Sequence, residues 1–256
     1  MPVAGTTISE TLARARLPFM NFTTPLVPGT LVKRYKRFLA DVILEDGEMV
    51  TAHVVNPGAM TGLALPLSTV WLSKSDNPMR KLPYTWELVE ADLGSGMELV
   101  GINTQVPNIL VADALADHRL NEFEGYASVR REVKYSTNSR IDFLLEDPSR
   151  PPCYLEIKNV HLMRRAGRAE FPDSVTERGA KHLEDLVSVK AEGARAVLLF
   201  LVQVGSANSF SVARDIDPVY GQTFDLARRA GLEVIVRRCQ VTLEQIDIDG
   251  PVPVLD

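Results

Sequence analysis

Residues 139–160 read SRIDFLLEDPSRPPCYLEIKNV, two apolar runs that each carry charge, separated by a polar, proline-rich segment. An extended strand sends alternate side chains to opposite faces, so Ile141, Phe143 and Leu145 share one face while Asp142 and Leu144 share the other. In the second run Leu155 and Ile157 face one way, and Glu156 and Lys158 the other. If EDPSRPP folds the chain back, the strands become antiparallel neighbours and Asp142, Glu156 and Lys158 meet on one sheet face. A charge enclosed without a partner is expensive. Such a patch is therefore either an exposed cross-strand decoration or a site that faces a ligand, and the short D-x(n)-E-x-K pattern does not separate the two.

Two carboxylates beside a lysine have a specific use. Hard oxygen ligands suit Mg²⁺ or Mn²⁺, which keeps several waters and shares its remaining positions with substrate phosphate oxygens. The ligand reading makes Asp142, Glu156 and Lys158 catalytic candidates, with Asp142 and Glu156 as metal ligands. Glu122, in LNEFEGY, is a candidate third carboxylate from the helical segment that precedes the strands. In FPDSVTERGAKHL, Arg178 and Lys181 lie three apart on one helix face and suit phosphate contacts. Arg34, Lys36 and Arg37 in KRYKR, and Arg140 beside the first strand, complete the nucleic-acid-binding candidates. Taken singly, each basic cluster reads first as a solvated face or loop.

Around this hairpin the texture of the chain changes once. From about Leu26 to Val100, short β-like runs (LVKRYKRFLADVILE, MVTAHVV, STVWLS, WELVEADL, MELVGI) are broken by Gly, Pro and Asn. Five short strands predict a small barrel, and spacing alone leaves an OB-fold and an SH3-like barrel both open. Trp71, Tyr84 and Trp86 fit either base stacking or barrel core. HVVNPGAM reads as a turn shaping a groove, or as one built around a structural histidine. His118, His161 and His182 have no metal-ligand spacing.

After Val106 the pattern becomes helix, three strands, a long loop through Phe171, helix, strand, helix, strand, which predicts an α/β unit with a mixed sheet. The second helix is expected to open on a Ser174-to-Glu177 capping box, with Val175, Leu183, Leu186 and Val187 facing a core. The domain boundary falls near 101–106.

At 256 residues, 45% hydrophobic and 24% charged, the chain has the composition of one large or two modest globular domains. Its longest apolar run, Ala196–Val202, is far short of the roughly 20 residues that span a bilayer and reads as a strand buried on both faces. No membrane association is expected. Cys153 and Cys239 suggest neither a disulfide framework nor a thiolate zinc site, which fits a reducing cytoplasm. The net charge of −5 argues against a globally basic nucleic-acid coat but not against local patches. Residues 1–19 lack a secretory core and read as a loose extension ahead of Met20. A homodimer is compatible with the sequence without being specified by it.

The helix–strand–strand–helix–strand order carrying Asp142 and Glu156-x-Lys158 resembles the PD-(D/E)XK nuclease superfamily. More narrowly, RYKRFLADV (34–42), HVVNPGAMTG (53–62), TVWLSKSDNPMRKLPYTWEL (69–88), EVKYSTNSRIDFLL (132–145), CYLEIKNV (153–160) and FPDSVTERGAKHL (171–183) together resemble the sugar fermentation stimulation protein A family. That resemblance implies an α/β (α+β overall) chain with an OB-fold domain over 20–103 and a PD-(D/E)XK nuclease-like domain over 104–256. It also implies DNA binding, with Mg²⁺- or Mn²⁺-dependent cleavage of DNA or RNA. The alternative it leaves open is a non-catalytic DNA-binding regulator of sugar (maltose) fermentation genes on the same scaffold.

Overall fold

The computed structural model describes residues 19–136 and 139–255. The expected extension lies, except for Phe19, outside them. After β1 (Phe19–Asn21) come β2 (Val27–Tyr35), β3 (Leu39–Leu44), β4 (Met49–Val54), β5 (Thr69–Lys74), β6 (Tyr84–Asp92) and β7 (Met97–Gly101). The order β4-β3-β2-β5-β6 is closed by a parallel β4–β6 pairing, His53 beside Thr85 and Val54 beside Trp86. Five strands thus form a closed barrel in OB order, and β7 continues from β6. Alternation drives it: Val50, Ala52 and Val54 are buried, while the intervening residues are not.

The run LVKRYKRFLADVILE is a hairpin rather than one strand. Lys36 and Arg37 take left-handed φ angles of 48° and 63° and turn β2 into β3. Trp86 is fully buried, Tyr84 nearly so, and the Trp71 indole donates to Glu90, so these aromatics build the barrel instead of a stacking platform.

The second half contains α1 (Val106–Ala116), β8 (Ser128–Lys134), β9 (Arg140–Asp147), β10 (Arg150–Val160), β11 (Leu162–Arg165), β12 (Arg168–Phe171), α2 (Glu177–Ala191), β13 (Arg195–Val202), β14 (Ser209–Val212), α3 (Pro218–Arg229), β15 (Glu233–Val241) and β16 (Gln245–Pro251). A seven-stranded mixed sheet runs β1-β16-β15-β13-β10-β9-β8, and β11-β12-β14 form a second, smaller one. The long loop expected before Phe171 is therefore partly sheet, with Ala166-Gly167 turning β11 into β12.

Every residue of Ala196–Val202 is fully buried, as a central strand parallel to both neighbours requires. Leu198, Phe200 and Val202 pack with α2 and α3, whereas Val197, Leu199 and Leu201 pack with α1. The first of these clusters continues into the barrel through Leu31, Val42 and Trp86, so both domains share one core.

Two helix starts determine the cleft floor. Thr176, not Ser174, caps α2 by accepting from the Gly179 amide; the Ser174 hydroxyl is turned to Asp173, and Val175 is exposed rather than buried. Asp217 caps α3 through the Tyr220 amide and also accepts from the Thr176 amide, locking the two helix N-termini together.

Candidate functional site

The two charged strands are antiparallel neighbours. Tyr154 lies opposite Leu144 and Leu155 opposite Phe143, and the same count puts Glu156 opposite Asp142. The Ile157 amide donates to Asp142 Oδ2 at 2.7 Å, and Asn108, in the first turn of α1, donates to Oδ1 at 2.9 Å. Lys158 Nζ lies 2.7 Å from Glu156 Oε1. Asp142, Glu156 and Lys158 all line one cleft of about 780 Å³.

Electrostatics divides the carboxylates. Burial, and then the neighbouring Glu156 charge, push the Asp142 carboxyl up to about 6, against the Ile157 and Asn108 hydrogen bonds that favour its ionised form. Burial also pushes Glu156 upward, but Lys158 and His182 together outweigh it and hold Glu156 below the ordinary carboxylate range. Glu156 Oε2 is buried and has no hydrogen-bond partner. An orphaned carboxylate oxygen beside a second carboxylate raised by burial and then by like charge is the arrangement a cation relieves.

Among the described residues, no three His, Cys, Asp or Glu side chains form a ready-made cation cage. Mg²⁺ keeps several waters and takes one or two protein carboxylates, so the Asp142–Glu156 pair fits as the protein's share.

His182 on α2 is buried and contacts Glu156 Oε1 through Nδ1; its Nε2 lies 3.3 Å from Arg178 Nε. On the opposite wall, Asp173 accepts from the Met60 amide and from His161 Nε2. Burial raises the Asp173 carboxyl, but His161, Met60 and Ser174 together bring it down to about 2. Asn159 bridges His161 to Gln203, whose amide also donates to the Asn103 carbonyl at the barrel exit. The barrel thereby supplies Asn56, Pro57 and Gly58 as one wall of the cleft.

The remaining candidates separate. Arg37, Arg140 and Arg178 line the cleft, whereas Lys36 and Lys181 are exposed beyond it. Arg34 serves a different purpose from the one expected: its guanidinium donates to the carbonyls of Asn56, Gly58, Ala59 and Arg37, holding the Asn-Pro-Gly turn. Glu122 is not brought to the cleft. It lies in a single turn after α1, where Phe123 packs into the α1-side core, and its carboxylate accepts from Arg237.

Sequence reasoning missed His182, Asp173 and Glu132 as cleft residues, and Asn108 as the α1 donor that holds Asp142. Glu132 of β8 lines the cleft with a left-handed φ of 53°, uncommon for a strand residue and often found near functional sites. Only His182 carried a local signal, four residues after Arg178 on one helix face.

Comparison with known proteins supplies the context. A family model described as "Sugar fermentation stimulation protein RE domain" matches residues 105–245, and "SfsA N-terminal OB domain" matches residues 32–102. A sugar fermentation stimulation protein homolog of Azorhizobium caulinodans is 57% identical over 236 residues, covering 92% of this chain and 100% of its own. The Rhodospirillum centenum homolog is 56% identical over 230 residues, covering 90% of this chain and 97% of its own. The solved structure of Pyrococcus furiosus SfsA in complex with Ca²⁺ superposes with a TM-score of 0.82 at 23% identity, covering 93% of this chain and 100% of that one.

Proposed function

The chain belongs to the sugar fermentation stimulation protein family, and on that footing we propose that it is a cytoplasmic, divalent-metal-dependent nuclease acting on DNA or RNA. The observation that carries the reading is the convergence of Asp142, Glu156 and Lys158 in a cleft walled by both domains, with Glu156 Oε2 left unpartnered. Asp142 and Glu156 would hold Mg²⁺ or Mn²⁺. A cation there supplies Lewis-acid polarisation of the phosphoryl group and a more acidic water.

The chain's own groups do the rest. Lys158 presents its ammonium where charge builds on the phosphoryl oxygens. Arg37, Arg140 and Arg178 hold phosphates along the cleft, and the Ile157 and Asn108 donors fix the Asp142 carboxylate. The Ca²⁺ in the Pyrococcus furiosus relative is consistent with a divalent cation on this fold.

The test is incubation of the purified protein with DNA and with RNA in Mg²⁺ or Mn²⁺, beside Asp142→Ala. Cleavage by the wild type alone supports the reading, and equal inertness or equal cutting sinks it. A non-catalytic DNA-binding regulator of sugar fermentation is the second reading, favoured by the relatives' name. It predicts strongly salt-dependent binding with no metal-dependent cutting.

The two arginines of the barrel hairpin give a separate check. Arg34→Ala is expected to lower unfolding free energy by about 2 kcal/mol in urea titrations, because charged hydrogen bonds to four carbonyls are lost. Arg37→Ala should leave stability nearly unchanged and reduce the slope of log affinity against log salt by about 1. The opposite pattern would place phosphate binding at Arg34.

A further inference from the structure

His182 is 6% exposed, yet neither ring nitrogen is spent on backbone. Arginine can only donate, so Nε2, facing Arg178 Nε at 3.3 Å, carries the lone pair. The proton therefore sits on Nδ1, which donates to Glu156 Oε1. Lys158 Nζ donates to the same oxygen at 2.7 Å. Two donors on one oxygen stop the carboxylate from turning, and Oε2 is the oxygen left without a partner. On its other side, the ring takes the Arg178 Nε–H and so sets the angle at which that guanidinium enters the cleft.

Resting on the reading of Glu156 as a metal ligand, we propose that His182 is a positioning residue that fixes both the metal-facing Glu156 and the phosphate-facing Arg178. One ring thus aligns the cation's carboxylate with the group that grips the substrate. Partners of this kind behind a ligand commonly tune metal affinity by about 10–100-fold. The role is absent from the D-x(n)-E-x-K pattern because His182 arrives from α2, 24 residues beyond Lys158.

Two substitutions separate the two nitrogens. In His182→Asn the amide nitrogen can stand where Nδ1 stood but leaves Arg178 without an acceptor. In His182→Gln the amide reaches the Nε2 position and leaves Glu156 with Lys158 alone. The full-length proteins are titrated with Mn²⁺ by calorimetry, and with a short fluorescein-labelled single-stranded DNA in EDTA.

His182→Asn should keep Mn²⁺ affinity within about threefold and lose DNA affinity as Arg178→Ala does. His182→Gln should lose Mn²⁺ affinity by about tenfold or more and keep its DNA affinity. Thermal melting without metal confirms that each variant is folded; if Gln does not fold, Asn against Arg178→Ala still decides the Arg178 half. Equal losses in both variants would mean that the ring only packs, and wild-type behaviour in both would likewise overturn the proposal while leaving the metal reading intact. A wild-type protein that takes up no Mn²⁺ removes the metal reading and this proposal together.

Discussion

Lys158→Ala is expected to lower Mn²⁺-supported cleavage by about 10²–10³-fold while changing nucleic-acid affinity only severalfold. The split follows from what Lys158 faces. Its ammonium is held 2.7 Å from Glu156 Oε1 with a side chain only 15% exposed, so it is poorly placed for general phosphate attraction and well placed beside the Asp142 and Glu156 carboxylates. On the proposed reading, flanking phosphates fall to Arg37, Arg140 and Arg178, which line the cleft. A fixed cation in a partly dry site acts most strongly on charge that appears during reaction, which makes the loss fall on turnover.

Single-turnover rates beside binding curves in Ca²⁺ would check this. Removing Lys158 also leaves Glu156 held by His182 alone, so the variant's melting curve must be measured as well. Unchanged turnover in a folded variant would remove Lys158 from the proposed mechanism and leave only the Asp142 and Glu156 roles in question. Lys158→Arg is not expected to restore the rate, because a planar guanidinium cannot take the place of a compact ammonium between Glu156 and the phosphate.

The hairpin was legible because strand alternation is a local rule. The identity of residues 141–145 and 155–158 is enough to put Asp142 and Glu156 on one face, and the antiparallel pairing does the rest. The central strand was legible for a related reason, since a run of seven apolar residues has to be enclosed on both sides. What failed was everything decided by distance across the fold. Glu122 looked like a ligand because it precedes the strands in sequence, yet α1 packs on the far side of the sheet from α2 and delivers it to Arg237. Arg34 and Arg37 look alike in KRYKR, but a turn with two left-handed residues sends one to the Asn-Pro-Gly carbonyls and the other to the cleft. Ser174 and Thr176 compete for one cap, and the choice falls to Thr176 because Asp217, from the start of α3, holds its amide.

The second large effect concerns the joint between domains. Asp173→Ala is expected to cost about 2 kcal/mol of unfolding free energy at pH 7 and to disorder the 56–60 turn against the cleft. Asp173 is where a barrel amide, that of Met60, meets the mixed-sheet C-terminal half, and it also accepts from His161 and Ser174. The fit is close enough that a Cβ on Gly58 would stand 2.3 Å from the Asp173 carboxylate. Gly58→Ala should therefore weaken the same joint without removing a charge.

The pH dependence identifies the cause. The carboxyl is lowered from an ordinary 3.8 to about 2 in the folded chain. A depressed acid stabilises the fold above its unfolded value, and that contribution is lost as pH falls from about 4 towards 2. The difference corresponds to about 2 kcal/mol at neutral pH. Wild type and Asp173→Asn should accordingly differ most in urea titrations at pH 7 and converge as the pH is taken below 4. Gly58→Ala, by contrast, should stay less stable than wild type across that range, because its penalty is steric. A constant gap for Asp173→Asn would show that the ionised carboxylate is not what ties the barrel to the cleft.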